Sequence, residues 1–171
     1  MKGLIIANGY GLADGIKNQI ERLKEEFQKR NVLIDLKKNN EILVYIEKGN
    51  IKCNLGHYDF VVYLDKDRFV ARMLEKCGYR LFNSSNAIEL CDDKMLTHIS
   101  LSNNGIQMPT SISSTLCYRD NGDRTIVDKV LKILNFPLIV KENYGSLGKQ
   151  VYLINNKEDL LNIENKLIHT P

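Results

Sequence analysis

The sequence predicts an α/β protein, and two observations carry that expectation. Short apolar runs suited to buried strands alternate with segments whose apolar residues recur every three or four positions. The composition, 43% hydrophobic and 26% charged over 171 residues, is that of an ordinary globular chain. It excludes a disordered tail, a collagen-like fibre and a coiled-coil rod, and the length allows one domain or two small ones.

Leu4–Ala7 reads as the first strand, followed by a glycine-rich turn from Asn8 to Gly15. A helix then carries Ile16, Ile20, Leu23 and Phe27 on one face, with Asp14 expected as its cap. Val32–Leu36 is a second strand, and Ile42–Glu47 with Ile51–Cys53 suggests a hairpin around Gly49-Asn50. Phe60–Leu64 is a buried strand, Val70, Met73, Leu74 and Cys77 line the next helix, and Arg80–Phe82 is a short strand. Asn83-Ser84-Ser85-Asn86 forms a capping cluster before two helical segments that stop near Gly105. Pro109–Ser113 is expected as a strand and 113–124 as a mobile loop. Ile126, Val130, Leu131 and Leu134 mark a helix, and Phe136–Lys141 a strand. After a second glycine loop, Val151–Ile154 returns, and a last helix starting near Asn156 turns Leu160, Ile163 and Leu167 inward. The expected organisation is two small α/β units, 1–84 and 85–171.

Charge and cysteine usage narrow the partners. Twenty-four Lys and Arg against 21 Asp and Glu give a formal charge of +3, with the basic residues interleaved among acidic ones, so no nucleic-acid partner is expected. No apolar stretch reaches the roughly 18 residues of a membrane span, and Met1–Ala7 reads as a strand rather than a signal peptide. Cys53, Cys77, Cys91 and Cys117 are scattered, as are His57, His98 and His169. That spacing suggests neither a zinc site nor a disulfide scaffold, but reduced core thiols in a cytoplasmic protein.

Two lysines break local rules. Lys94 falls in the first turn of a helix that Asp92 or Asp93 caps, where a cation opposes the helix dipole. It is either a solvated lysine paired to one of those aspartates or a functional cation. Lys141 extends the strand Leu138-Ile139-Val140 on the same face as Ile139, where a charge must snorkel, pair or meet an anion. Gly145-Ser146-Leu147-Gly148 follows, and glycines let successive N–H groups converge into an anion-binding concavity to which Ser146 adds a hydroxyl. The alternative is a plain hairpin with a flexible tip. No Gly-Lys-Ser/Thr opens a helix here, so this is not a Walker A loop.

Cys91-Asp92-Asp93-Lys94, Gly105-Ile106-Gln107-Met108-Pro109-Thr110, Phe136-Pro137-Leu138-Ile139-Val140-Lys141 and Gly145-Ser146-Leu147-Gly148 resemble, in order and spacing, the ATP-grasp superfamily. Within it, they resemble the ribosomal-protein-S6-modifying, glutamate-ligase-like branch of carboxylate–amine ligases. The resemblance covers residues 83–154. It implies a small Rossmann-like domain followed by the first, smaller ATP-grasp subdomain, with the C-terminal lobe missing. It also implies that Lys94 and Lys141 hold the phosphates of ATP, with Gly145, Ser146 and Gly148 in the loop closing over them. The reaction it implies passes from carboxylate through acyl phosphate to amide, with small-molecule or peptide substrates. Mg²⁺ ligands and the adenine-holding segment are expected beyond Pro171, and residues 1–171 alone are expected to be inactive. Glu142, where many relatives have proline, is expected to pair with Lys141 or Lys149. Oligomeric state, a homo-oligomer included, is left open.

Two other readings remain. Gly9-Tyr10-Gly11 after the first strand, with Asp35 ending the second, partly matches an NAD(P)-binding Rossmann fingerprint, although Gly15 stands one place beyond the third glycine. The last is a non-catalytic α/β binding module.

Overall fold

The computed structural model describes residues 1–118 and 125–168. The chain divides into two compact units, Met1–Glu89 and Leu90–Pro171. Ser85 and Ile88, just past the expected boundary at 84, make their contacts in the first unit, Ser85 with Glu75 and Ile88 within the apolar core.

The first unit is a parallel sheet in the order β2-β1-β5-β6, formed by β1 (Lys2–Ala7), β2 (Leu33–Lys38), β5 (Phe60–Leu64) and β6 (Leu81–Phe82). β1 is apolar without interruption because both faces of the sheet are covered. Its period of two sends Ile5 and Ala7 to Ile20 of α1 (Asp14–Lys29), and Leu4 and Ile6 to Ala71 and Leu74 of α2 (Arg68–Lys76). β2 is an edge strand, which explains why Leu33 and Leu36 are exposed despite its apolar reading. Gly3 permits a close approach: a Cβ there would lie 2.3 Å from Phe60 Cζ and 2.7 Å from Ile34 Cδ1.

Local signals mostly act as read. Asp67 caps α2 by accepting from the N–H groups of Phe69 and Val70, each at 3.0 Å. Asp14 is a correction: Ala13 holds the cap position of α1 without a side-chain bond, and exposed Asp14 pairs with Lys17 at 2.9 Å inside the first turn. The hairpin of β3 (Val44–Glu47) and β4 (Asn50–Cys53) turns on Lys48-Gly49, not Gly49-Asn50, and both residues have positive φ (50° and 80°).

At the carboxyl edge of this sheet, Asp65 gathers the loops after three strands. Its Oδ2 accepts from Asn8 Nδ2 (3.3 Å) and Asn39 Nδ2 (2.5 Å), and its Oδ1 from the Lys66 N–H (2.6 Å). Asn39 Oδ1 in turn accepts from the Gly9 N–H at 2.8 Å. Asp35 does not end β2. It pairs with Leu4 in mid-strand, and its Oδ2 is held by Lys2 Nζ (2.9 Å) and the Tyr58 hydroxyl (2.8 Å). The acid that a ribose would need is therefore already engaged.

The second unit holds α4 (Lys94–Leu101), α5 (Thr125–Val130), the antiparallel pair β7 (Leu138–Lys141) and β8 (Val151–Ile154), and α6 (Lys157–Leu167). Its core joins Val127, Leu138, Ile154, Leu160 and Ile163. α3 (Ser85–Asp92) begins behind Ser84, whose Oγ accepts from the Ala87 N–H at 3.2 Å. The expected helix through Leu134 is regular only to Val130. Hydrogen-bonded turns then carry Leu131 and Leu134 into the same core.

Pro109–Ser113 is not a strand. Ser111 Oγ donates to Pro109 O (3.1 Å) and Ser113 Oγ to Ser114 O (3.1 Å), local bonds that compete with a ladder. Of the expected loop 113–124, residues 119–124 lie outside the described residues. No disulfide joins the four cysteines: Cys53 is half-buried against the core of the first unit, Cys77 and Cys117 are half-buried, and Cys91 is exposed, so it is not a core thiol. Among the described residues, no helix is long and apolar enough to cross a membrane.

Gly3→Val should destabilise the first unit by about 1–3 kcal/mol through overpacking, seen as a lower urea midpoint by circular dichroism. The bonds from Lys2 and Tyr58 hold the Asp35 carboxyl below its usual range. A depressed carboxylate stabilises above its unfolded value, and that stability is lost as pH falls through the folded one. Melting temperature should therefore drop less steeply below about pH 4 in Asp35→Asn than in the native chain.

Candidate functional site

All five residues singled out for phosphate binding lie in the second unit, on α4, at the end of β7 and on the connection between β7 and β8. Asp93, not Asp92, caps α4: its Oδ1 accepts from the N–H groups of Met95 and Leu96, each at 2.9 Å. The first-turn donor left over, the Lys94 N–H, bonds to Asn143 O at 3.1 Å.

The Lys94 side chain reaches the same loop. Its ammonium donates to Asn143 O and to Gly145 O, both at 3.2 Å, across 49 and 51 residues of sequence. A cation at the positive end of a helix is thereby offset by two carbonyl dipoles. Folding joins Lys94 and the glycine loop in one place.

The loop itself is built on glycine conformations. Gly145 has φ of +123° and Gly148 of +72°, with Leu147 between them at +60° and 92% exposed. The backbone angle at Gly145 favours glycine, and a Cβ there would stand 2.3 Å from Gln150 Oε1, so the Gln150 side chain would have to swing aside. Ser146 is exposed on the turn. Beneath it, the Glu142 N–H bonds to Gln150 O at 3.2 Å and extends the β7–β8 ladder by one pair.

Lys141 is exposed at the end of β7, on the same face as Ile139 as its period demands. That face is open rather than core: Ile139, Val151 and Leu153 are all exposed, with Ile139 opposite Leu153 and Lys141 opposite Val151. It combines apolar surface with a cation at one end. Glu142 is engaged by neither Lys141 nor Lys149. Its Oε1 accepts from the Tyr152 hydroxyl at 2.7 Å, and that bond raises the phenol above its ordinary range.

Asn143, Gln150 and Tyr152 thus shape the site without having been singled out. Asn143 acts through its backbone carbonyl, for which a sequence carries no signal. Among the described residues, no three His, Cys, Asp or Glu side chains gather where a metal ion could be held.

The fold is that of an ATP-grasp protein. Ninety-eight per cent of the chain superposes on the ATP-grasp RimK-domain protein of Sphaerobacter thermophilus, covering 60% of that chain with a TM-score of 0.68 and 17% identity. D-alanine–D-alanine ligase of Bacillus anthracis gives a TM-score of 0.62 at 22% identity, over 98% of this chain and 54% of its own. The model of the RimK-like ATP-grasp domain matches residues 91–169 of the chain.

Human beta-citrylglutamate synthase B is 29% identical over 160 residues, 85% of this chain and 39% of the relative. The glutamate–LysW ligase ArgX of Sulfolobus acidocaldarius is 35% identical over 104 residues, 58% of this chain and 34% of the relative. The chain spans less than half the length of either.

Gly145→Ala should cost the second unit about 1–3 kcal/mol, the scale of a side chain forced into a glycine-only conformation. Thermal unfolding reports the loss, and protease cleavage within 143–149 should accelerate.

Proposed function

We propose that the chain is the N-terminal part of an ATP-dependent carboxylate–amine ligase that works through an acyl phosphate. The γ-phosphoryl of ATP passes to a carboxylate oxygen, an amine then attacks the acyl carbon, and phosphate leaves as the amide forms. Residues 1–84 serve as the α/β domain preceding the grasp, and 85–171 as its first, smaller subdomain. Lys94, Lys141, Gly145, Ser146 and Gly148 form the phosphate cradle.

The observation that carries this reading is the Lys94 ammonium 3.2 Å from the carbonyl of Gly145, which joins a cation to a glycine loop from a distant part of the chain. Phosphoryl transfer asks a protein chiefly for positioning and charge neutralisation, and two lysines with a loop of glycine geometry are suited to both. The open face carrying Ile139, Val151 and Leu153 beside Lys141 suits a ligand with an apolar and an anionic end. Bound ATP would supply the phosphoryl group. Mg²⁺ belongs to the same reading.

The two sequence relatives both carry glutamate in their names. An amino acid or peptide is accordingly the proposed substrate class for both carboxylate and amine.

Calorimetry of ADP with Mg²⁺ on the full-length protein tests the site. Lys94→Ala and Lys141→Ala should each weaken binding about tenfold or more, the scale of one charge-assisted hydrogen bond. Equal affinity in all three proteins would remove these lysines from the site. Stabilisation by NAD with indifference to ADP would favour the dinucleotide-binding alternative instead.

A further inference from the structure

A lysine that serves only to meet phosphate has no reason to reach main-chain oxygens first. The Lys94 ammonium, half-buried, donates to Asn143 O and Gly145 O, while the N–H of the same residue donates to Asn143 O as well. We propose that Lys94 is a positioning residue for the glycine loop. Before any nucleotide arrives, its ammonium clamps the start of the loop and sets the direction in which 145–148 leave β7.

The loop needs such a clamp. Leu147 stands at a φ of +60°, a region sparsely populated for a residue with a side chain, which persists only where the surroundings over-determine it. Little surrounds the tip, where Leu147 is 92% exposed. The grip is therefore at the base and has two sides. Lys94 holds the carbonyls on one, and the Gln150 side chain stands where a Cβ of Gly145 would point on the other.

An ammonium has three donors. Two are spent on Asn143 O and Gly145 O, so a third can meet an anion without releasing the loop. Lys94 thus ties the loop's position to the place where a phosphate would sit. Lys141, exposed at the end of its strand, has a different task and should not affect the loop. The inference builds on the phosphate cradle proposed above, yet its test contains no nucleotide. A failure to bind ADP would leave the result standing.

The chain has no tryptophan, so Leu147→Trp at the loop tip gives a single fluorescent reporter. Nanosecond anisotropy of the nucleotide-free 171-residue chain would be measured with this probe in four backgrounds: native, Lys94→Met, Lys94→Arg and Lys141→Met. Lys94→Met should raise the ratio of freely wobbling to held probe about tenfold, the scale of one lost charge-assisted bond. Lys94→Arg, which keeps the cation and its donors, should stay near the native value, and Lys141→Met should match it. A Lys94→Met loop as still as the native one, or equal loosening by Lys141→Met, would overturn the proposal. A control probe, Ile133→Trp in the same unit, reports general loosening. If Lys94→Met mobilises that probe too, Lys94→Gln decides: it must loosen the loop probe alone, and the proposal fails if it does not.

Discussion

One carbonyl oxygen organises the second unit of this molecule. Asn143 O accepts from both the main chain and the side chain of Lys94, and so fastens the first turn of α4 to the loop between β7 and β8. Without that junction, α4 would carry a cation against its own dipole, and the loop would be an unattached hairpin tip. With it, a helix terminus and a glycine loop are held together. The bond is local in space but closes a loop of about fifty residues, which is why the core of the second unit has to form around it.

The first unit rests on a different constraint, the two-sided burial of β1. Leu4, Ile5, Ile6 and Ala7 are each almost wholly withdrawn from solvent because helices cover both faces of the sheet. Transfer of so much apolar surface from water drives the association of sheet and helices. Polar groups then specify it: Asp67 starts α2, and Lys2, Asp35 and Tyr58 tie β2 to the strand beside it. The two units solve the same problem in unequal ways. The first builds a sheet with two covered faces, while the second packs helices on one face of a short antiparallel pair and leaves the other open.

Much of this was legible in the residues. The uninterrupted run of β1 and the helical spacing of Ile16, Ile20 and Leu23 announced a buried strand followed by an amphipathic helix, and Lys94 and Lys141 stood out because they broke local rules. Where the reading failed, the cause was physical. Asp14 lost the cap to Ala13 because the turn before α1 ends one residue earlier. Pro109–Ser113 had strand composition, but its serines satisfy nearby backbone. Glu142 found a phenol rather than an ammonium, because Tyr152 lies next to it across the hairpin. The contact that matters most, Lys94 to Asn143, ends on a carbonyl that every residue type possesses, so no pattern of side chains could have announced it.

The Asp65 carboxylate has a consequence for how the first unit can change over generations. It receives donors from Asn8, Asn39 and the Lys66 backbone, so loops that follow three different strands share one acceptor. An amide at 8 or 39 cannot be exchanged for an apolar side chain without leaving that carboxylate short of a partner, and an apolar residue at 65 would take this acceptor from both amides. The three positions are therefore bound to drift together. Combinatorial libraries that vary one of these loops alone should contain few folded members, whereas libraries that vary 8, 39 and 65 jointly can move the rim of the sheet as a block.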